Sequence, residues 1–305
     1  MARVLLITNP AAARTSSAAF GVVVRRFQAA GWDLEEAKTA GPGDARRFAA
    51  DAVAGGGIDV VAVLGGDGTA IQAASGLVGS GVALGLVPGG TGNLLAGNLR
   101  VPTTPLAATE LILRGRTRAV DLGRLDRDDG VHYFGVACGD GAAADVMSET
   151  PTQAKRRWGI GGYFTTLFRV LPTIRAAPRT ITVDGRILVH DAATVLVLNC
   201  GEVVPPWVRA RFDTRLDDGV LDVVAVQASS PLECARGVAR VLWNAAVGEV
   251  ADTAYLVYAR GREVTVAADP VQPVQYDGER AGWTPFTATV VPRAIRVCAP
   301  EARGR

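Results

Sequence analysis

Three short apolar runs near the start of the chain constrain its fold more than any other sequence feature. They lie within residues 3–7, 59–64 and 82–87. Strands of a parallel sheet are buried on both faces and carry such continuous runs. Between the first two runs, residues 20–27 place apolar side chains at helical spacing, and Asp44 is predicted to cap a second helix. The first part of the chain is therefore predicted to be an α/β domain with a parallel sheet.

After about residue 120 the pattern changes to closely spaced strands. Asp184-Gly185 stands between β-branched runs and predicts a tight hairpin, because this pair favours positive φ angles. Further strands are predicted at 194–198, 221–226, 255–258, 263–267, 286–291 and 295–297. We expect an α/β nucleotide-binding domain over 1–122 and a β-rich acceptor domain over 123–305. The last short strand is expected to pack back on the first domain.

Composition excludes several classes of protein. The 305 residues include 32 basic and 30 acidic side chains, so no basic excess indicates nucleic acid as a partner. Two histidines are too few for a histidine-rich metal centre, and a Ser-His-Asp hydrolase is not indicated. Four cysteines without a CxxC pair predict neither a zinc site nor disulfides, and they fit a reducing cytosol. No apolar run approaches the ~20 residues that span a bilayer, so we expect a cytoplasmic protein.

The three predicted strands end in loops of unusual composition. These loops are Asn9-Pro10-Ala11-Ala12-Ala13, Gly65-Gly66-Asp67-Gly68-Thr69 and Pro88-Gly89-Gly90-Thr91-Gly92-Asn93. Parallel strands bring such loops to one edge of the sheet, where glycines and helix N-termini accept phosphate. Thr69 and Thr91 stand where helices begin. Asp67 would repel phosphate unless a divalent cation lay between them, which indicates a Mg²⁺-nucleotide. One such loop alone is more often a simple turn, and neither a P-loop nor a dinucleotide-binding fingerprint is present.

Together these loops resemble the diacylglycerol kinase catalytic-domain family, which includes sphingosine kinases and bacterial lipid kinases. The Gly-Gly-Asp-Gly element alone is shared with NAD kinases and 6-phosphofructokinases. Val120 to Gly123, Asp217 to Asp222 and Asp277 to Glu279 continue the resemblance in the family's order. It implies a Rossmann-like, NAD kinase-like α/β domain, a C-terminal β-sandwich-like domain, and ATP and Mg²⁺ as ligands.

The resemblance also assigns residues. It implies an ATP site that includes Asn9, Thr39, Gly65 to Thr69, Ala70, Ile71 and Thr91. Its structural Mg²⁺ loop matches residues 215–222, with the Asp218 carboxylate and the carbonyls of Arg215 and Val220 as ligands. Oxygen ligands suit a hard cation. Without the resemblance, this segment is better interpreted as a surface turn.

The proton acceptor is predicted in Asp277-Gly278-Glu279. Asp-Gly alone most often indicates a hairpin turn. Phosphorylation of an alcohol, however, needs a group that accepts the hydroxyl proton. The resemblance gives that role to Glu279, with Asp277 as its neighbour and a less favoured alternative. Leu94 replaces an aspartate that many members have, and 141–144 lack another family carboxylate.

Residues 155–171 begin with Lys-Arg-Arg-Trp and continue with apolar residues at helical spacing. A basic amphipathic helix of this kind suits a membrane surface, and a core helix is the favoured alternative. We expect ATP-dependent transfer of phosphate to a lipid hydroxyl, with diacylglycerol as the preferred acceptor. A soluble-substrate kinase of the NAD kinase type and a non-catalytic nucleotide-binding regulator are the alternatives. Peripheral contact with the inner face of the membrane and a homodimer are left open.

Overall fold

A computed structural model of the protein describes residues 1–141, 176–201, 215–227, 233 and 256–301. The chain forms two compact units: Met1–Val120 with Arg293–Arg305, and Asp121–Pro292. The helix predicted within 155–171 lies outside the described residues. The sequence Ser-Pro-Leu-Glu from Ser230 to Glu233 predicts the start of another helix by the capping-box pattern. Ser230 also lies outside the described residues, and Glu233 is helical.

The first unit alternates strands and helices. Its elements are β1 (Arg3–Thr8), α1 (Ser17–Ala29), β2 (Asp33–Lys38), α2 (Asp44–Gly55), β3 (Val60–Gly65), α3 (Asp67–Leu77), β4 (Ala83–Pro88), α4 (Leu94–Asn98) and α5 (Pro105–Leu113). Strand β5 (Thr117–Arg127) begins in this unit and ends in the second.

The first unit has a parallel sheet with the strand order β2-β1-β3-β4. The last residues of strand β16 (Phe286–Cys298) extend it, since Arg296 and Val297 pair in parallel with β4. Every residue of β3 and β4 is buried, which confirms the predicted parallel α/β arrangement. Strand β2 was not predicted because it is an edge strand, and its sequence DLEEAK has no apolar run.

Helix packing in the first unit depends on small residues. A Cβ on Gly76 of α3 would lie 2.4 Å from the carbonyl oxygen of Arg46 in α2, so glycine allows these helices to approach closely. The predicted cap of α2 needs correction. Gly43 is the N-cap residue, and the Asp44 carboxylate instead accepts hydrogen bonds from the preceding N–H groups of Ala40 and Gly41.

Apart from the single helical residue Glu233, the described regular elements of the second unit are all strands. They are β6 (Gly130–Phe134), β7 (Ala137–Asp140), β8 (Ala177–Val183), β9 (Arg186–Ala192), β10 (Thr194–Leu198), β11 (Leu221–Val226), β12 (Leu256–Gly261), β13 (Glu263–Ala268), β14 (Pro273–Tyr276) and β15 (Glu279–Trp283), with parts of β5 and β16.

These strands form a β-sandwich-like domain. One sheet has the order β12-β11-β10-β7-β14-β15, and the other includes β16-β13-β8-β9. Alternate side chains from both sheets meet in one apolar core, which includes Val197 and Val223 from the first sheet and Ile181 and Val264 from the second. The predicted β-sandwich-like fold is confirmed.

Two sequence predictions about strands and turns have different outcomes. Asp184 and Gly185 have φ angles of 47° and 80° and join β8 to β9, as the hairpin pattern predicts. The two strands predicted at 286–291 and 295–297 are one strand, β16, which continues through Arg293 at a φ of 52°. None of the helices in the described ranges has both the length and the apolar character that a membrane crossing needs.

Candidate active site

The loops predicted to bind phosphate follow neighbouring strands of the first unit. The connections leave β1 in one direction toward β2 and then reverse toward β3 and β4. In open α/β sheets, ligands bind where this reversal occurs, beyond the carboxyl ends of the strands. Asn9 follows β1, Thr39 follows β2, and the two glycine-rich loops follow β3 and β4. The topology therefore gathers the predicted residues at the edge where a ligand is expected.

Direct hydrogen bonds connect these loops. The side-chain amide of Asn9 donates to the hydroxyl of Thr69 at 2.8 Å, and its backbone N–H donates to the Leu64 carbonyl at 3.1 Å. The N–H of Gly89 donates to the Gly65 carbonyl at 2.7 Å. Three loops that are far apart in sequence thus form one bonded surface.

Two glycines are required where the loops meet. A Cβ on Gly90 would lie 2.5 Å from the Cα of Gly66, and a Cβ on Gly66 would lie 3.2 Å from the Cα of Gly90. The contact is between two backbones, so no side chain can move aside to relieve it. Asn93 fixes the second loop, because its side chain accepts from the Gly90 N–H at 2.9 Å and donates to the Gly90 carbonyl at 2.8 Å. The glycines here serve close packing between the loops.

The surface also offers hydrogen-bond donors. Helix α3 makes its first backbone bond from the Ala70 N–H to the Gly66 carbonyl, so the N–H groups of Gly68 and Thr69 precede any intrahelical acceptor. The hydroxyls of Thr8 and Thr15 are buried and have no hydrogen-bond partner among the described residues. A helix N-terminus and unsatisfied hydroxyls fit a bound phosphate. Sequence reasoning missed both threonines, although Thr15 comes only two residues after the first predicted loop.

Asp67 is half-buried at the start of α3. Its carboxylate accepts from the Leu95 N–H at 3.2 Å and lies against Gly92, where a Cβ would be 2.9 Å from its Oδ2 atom. Burial raises the pKa of Asp67, while the backbone N–H groups of Leu95, Asn93 and Leu94 oppose that rise. A carboxylate beside the free N–H donors of a helix N-terminus has the chemistry that Mg²⁺-nucleotide sites use.

The other predicted nucleotide-site residues have simpler settings. The Thr39 N–H donates to the Thr8 carbonyl at 3.0 Å. Ala70 lines a small cavity with Asp67 and Asn93, and Ile71 is buried in α3. Pro10, Ala11 and Ala13 are exposed, whereas Ala12 and Thr91 are half-buried. Thr91 does not cap α4, because Asn93 is the N-cap residue.

Asp277 lies in the two-residue turn between β14 and β15. Its φ of 44° and that of Gly278, 89°, fit the turn that the sequence predicts. The carboxylate accepts three backbone N–H groups, from Gly135 at 2.7 Å, Val136 at 3.0 Å and Ala137 at 2.9 Å. This side chain therefore fixes the hairpin against the chain between β6 and β7.

Glu279 begins β15, directly after this turn, and its side chain is exposed. The hydroxyl of Tyr276 donates to Glu279 Oε2 at 3.5 Å and also contacts the His132 ring at 3.1 Å. Burial and the Glu279 charge raise the pKa of Tyr276 to about 12. Of the carboxylates of Asp277 and Glu279, that of Glu279 is the exposed one.

The segment predicted as a magnesium loop has a different set of contacts. Asp218 Oδ1 accepts from the Val220 N–H at 3.3 Å, and Asp218 Oδ2 pairs with the Arg260 guanidinium at 2.5 Å. The Arg215 side chain pairs with Asp217 at 3.1 Å. Both oxygens of the predicted carboxylate ligand thus have protein partners, and one partner is a cation. This arrangement does not fit a bound Mg²⁺ ion.

Two family models match nearly the whole chain. Residues 3–125 match the diacylglycerol kinase catalytic domain. Residues 136–299 match the YegS C-terminal NAD kinase beta sandwich-like domain. The boundaries of these matches follow the change from the α/β pattern to the β-rich pattern.

Relatives and solved structures agree with these matches. A diacylglycerol kinase of Mycobacterium tuberculosis H37Rv is 30% identical over 314 residues, which cover 98% of this chain and 96% of the relative. A diacylglycerol kinase of Bacillus subtilis 168 is 26% identical, with 99% and 98% covered. A crystal structure of a diacylglycerol kinase from Bacillus anthracis Sterne has a TM-score of 0.74 at 21% identity, with 98% and 97% covered. That likeness concerns the fold.

Proposed function

The chain belongs to the diacylglycerol kinase catalytic-domain family and is a phosphotransferase with an alcohol acceptor, and we propose that its acceptor is diacylglycerol. The product is then phosphatidate. The relatives named diacylglycerol kinase support this acceptor. The observation that supports ATP as the phosphate donor is the bonded surface formed by Asn9, the Gly65–Thr69 loop and the Gly90–Asn93 loop, which has donors and unsatisfied hydroxyls for phosphate.

The first unit supplies the nucleotide site in this proposal. The N–H groups at the start of α3, with the hydroxyls of Thr8 and Thr15, hold the phosphates of ATP. Asp67 orients the bound cation, and Mg²⁺ when bound neutralises charge on the phosphates. The backbone contact between Gly66 and Gly90 keeps these donors in fixed positions, and positioning is the main contribution a protein makes to phosphoryl transfer.

Glu279 is the general base in this proposal. As the acceptor oxygen attacks the γ-phosphorus, the bond from that phosphorus to the β,γ-bridging oxygen breaks, and the hydroxyl proton passes to the Glu279 carboxylate. ADP leaves with the bridging oxygen. Asp277 takes no proton, because three backbone N–H groups occupy its carboxylate. Its role is to hold the turn that presents Glu279.

The test is a radiolabelled-ATP transfer assay with diacylglycerol in detergent micelles. Glu279→Gln is expected to lower kcat about 10²- to 10⁴-fold, the usual contribution of a positioned base, with little change in ATP affinity. Glu263→Gln is the matched control, since Glu263 is also an exposed glutamate that begins a strand. Normal turnover by Glu279→Gln would reject the base assignment.

The same assay separates the acceptors. Phosphate incorporation only into the lipid supports the proposal. Incorporation into NAD without lipid or detergent would favour a soluble-substrate kinase. ATP binding without transfer to diacylglycerol, to NAD or to a total lipid extract would favour a regulatory protein.

A further inference from the structure

Two aspartates near the start of β11 contact the same arginine. Asp222, the second residue of β11, is fully buried, and its Oδ2 atom has no hydrogen-bond partner among the described residues. Asp218 is four residues earlier, in the turn before the strand, and its side chain is 20% exposed. The buried Asp222 carboxylate in particular needs a cation nearby, because an unpaired buried charge is strongly destabilising.

Arg260 of β12 supplies that cation. Its guanidinium contacts Asp218 Oδ2 through Nη2 at 2.5 Å and Asp222 Oδ1 through Nε at 3.0 Å. Two nitrogens of the planar group therefore meet two different carboxylates, an arrangement that a lysine ammonium does not reproduce. The hydroxyl of Tyr258, two residues earlier on β12, also donates to Asp222 Oδ1.

Hydrogen bonds to Asp121 fix the backbone of the turn before β11. The Asp121 N–H donates to the Leu216 carbonyl at 2.7 Å, and the Asp121 carboxylate accepts from the Gly219 N–H at 2.7 Å. Asp222 lies opposite Arg260 in the β11–β12 ladder, so ordinary strand pairing places the guanidinium beside the turn.

We propose that the Arg260 guanidinium permanently replaces the structural Mg²⁺ ion that the family resemblance implies for the 215–222 turn. A divalent cation on Asp218 would have to displace Arg260 or lie beside it. A cation bound to the same carboxylate would be repelled by the positive charge of the guanidinium. The turn is consequently closed by an ion pair built into the chain and needs no metal for stability.

The test measures thermal unfolding of the nucleotide-free protein in EDTA and in Mg²⁺. The wild type and Asp218→Asn are compared first. The expected result is an equal change in Tm with Mg²⁺ for both proteins, since the turn contributes no metal site. A larger Mg²⁺-dependent rise in the wild type than in Asp218→Asn overturns the proposal. Manganese binding, followed by electron paramagnetic resonance, is expected to be equal in the two proteins, and stronger binding by the wild type would also overturn the proposal.

A second pair of variants tests the guanidinium directly. Arg260→Ala is expected to lower Tm in EDTA by roughly 5 °C or more, because it leaves the two carboxylates without their cation. Mg²⁺ should restore part of that loss by binding the freed carboxylates. Arg262→Ala, which removes an exposed arginine two residues away, is the control and should behave as the wild type. An Arg260→Ala protein with wild-type Tm would also overturn the proposal. If Arg260→Ala does not fold, Arg260→Lys replaces it, and the Asp218→Asn comparison remains decisive.

Discussion

Replacing Asp277 with alanine should destabilise the second unit far more than its place in a surface turn suggests. The substitution removes the acceptor of three N–H groups, which belong to the buried residues Gly135, Val136 and Ala137. Hydrogen bonds to a charged group contribute about 1.5–3 kcal/mol each, and bonds that share one carboxylate are not additive, so we take a total of about 3–5 kcal/mol. Alanine at a φ of 44° costs about 1 kcal/mol more.

The expected loss is therefore about 4–6 kcal/mol, which corresponds to a decrease in Tm of about 10–15 °C for a domain of this size. Differential scanning calorimetry measures it. Asp277→Asn should lie between the wild type and Asp277→Ala. Asparagine tolerates the left-handed φ and keeps one acceptor oxygen, but its amide group would face the Gly135 N–H if that oxygen serves the other two donors. Asp191→Ala is the control, because Asp191 is an exposed aspartate of β9.

The result that would refute this reasoning is a decrease in Tm for Asp277→Ala no larger than that for Asp191→Ala. Such a result would mean that the three N–H groups find other acceptors at little cost. Asp277 would then return as a candidate base. In contrast, a stable Glu279→Gln protein with low kcat, together with an unstable Asp277→Ala protein, separates the two roles.

Two further predictions concern the phosphate loops and the turn at high pH. Gly90→Ala should weaken ATP binding by about tenfold or more in calorimetric titration, because the backbone must shift to separate the new Cβ from Gly66. Gly97→Ala is the control, since a Cβ on Gly97 meets nothing within 4 Å. Equal ATP affinities of the two variants would contradict the packing argument. Because the pKa of Tyr276 is raised from 10.0 to about 12, the folded state holds this proton more tightly than the unfolded state, and stability is lost as pH rises from 10.0 to about 12. Tyr276→Phe should show a shallower loss over that interval in denaturant unfolding, and an unchanged slope would contradict this assignment.

The sequence patterns predicted the parallel sheet and the three loops at one of its edges because both depend on local composition; phosphate binding by the loops remains a prediction. Continuous apolar runs mark strands buried on two faces, and glycine clusters after them mark loops at one edge. Strand β2 was not predicted because an edge strand needs no apolar run. The unsatisfied hydroxyls of Thr8 and Thr15 were not predicted because the burial of a hydroxyl without a partner depends on the folded environment.

Ion pairs between residues distant in sequence could not be predicted from the sequence patterns either. Arg179 and Asp140 are fully buried partners whose nearest atoms are 2.9 Å apart, although 39 residues separate them. Arg260 and Asp218 are 42 residues apart. The packing of one sheet on the other brings Arg179 of β8 to Asp140 of β7, and the pairing of β11 with β12 brings Arg260 to Asp218. Both depend on contacts between segments that are distant in sequence.

The carboxylates of Asp277, Asp218 and Glu279 differ in whether backbone N–H groups occupy them. Asp277 and Asp218 have short side chains at turns, where backbone N–H groups are within reach, and both accept from them. Glu279 has one more methylene and extends from the start of a strand, so its carboxylate can reach an acceptor beyond the turn. The Asp-Gly-Glu motif therefore combines a residue that fixes the backbone with the exposed carboxylate that we propose as the base. Asp218 also accepts a backbone N–H, and in our proposal its charge is balanced by the Arg260 guanidinium in place of a metal ion.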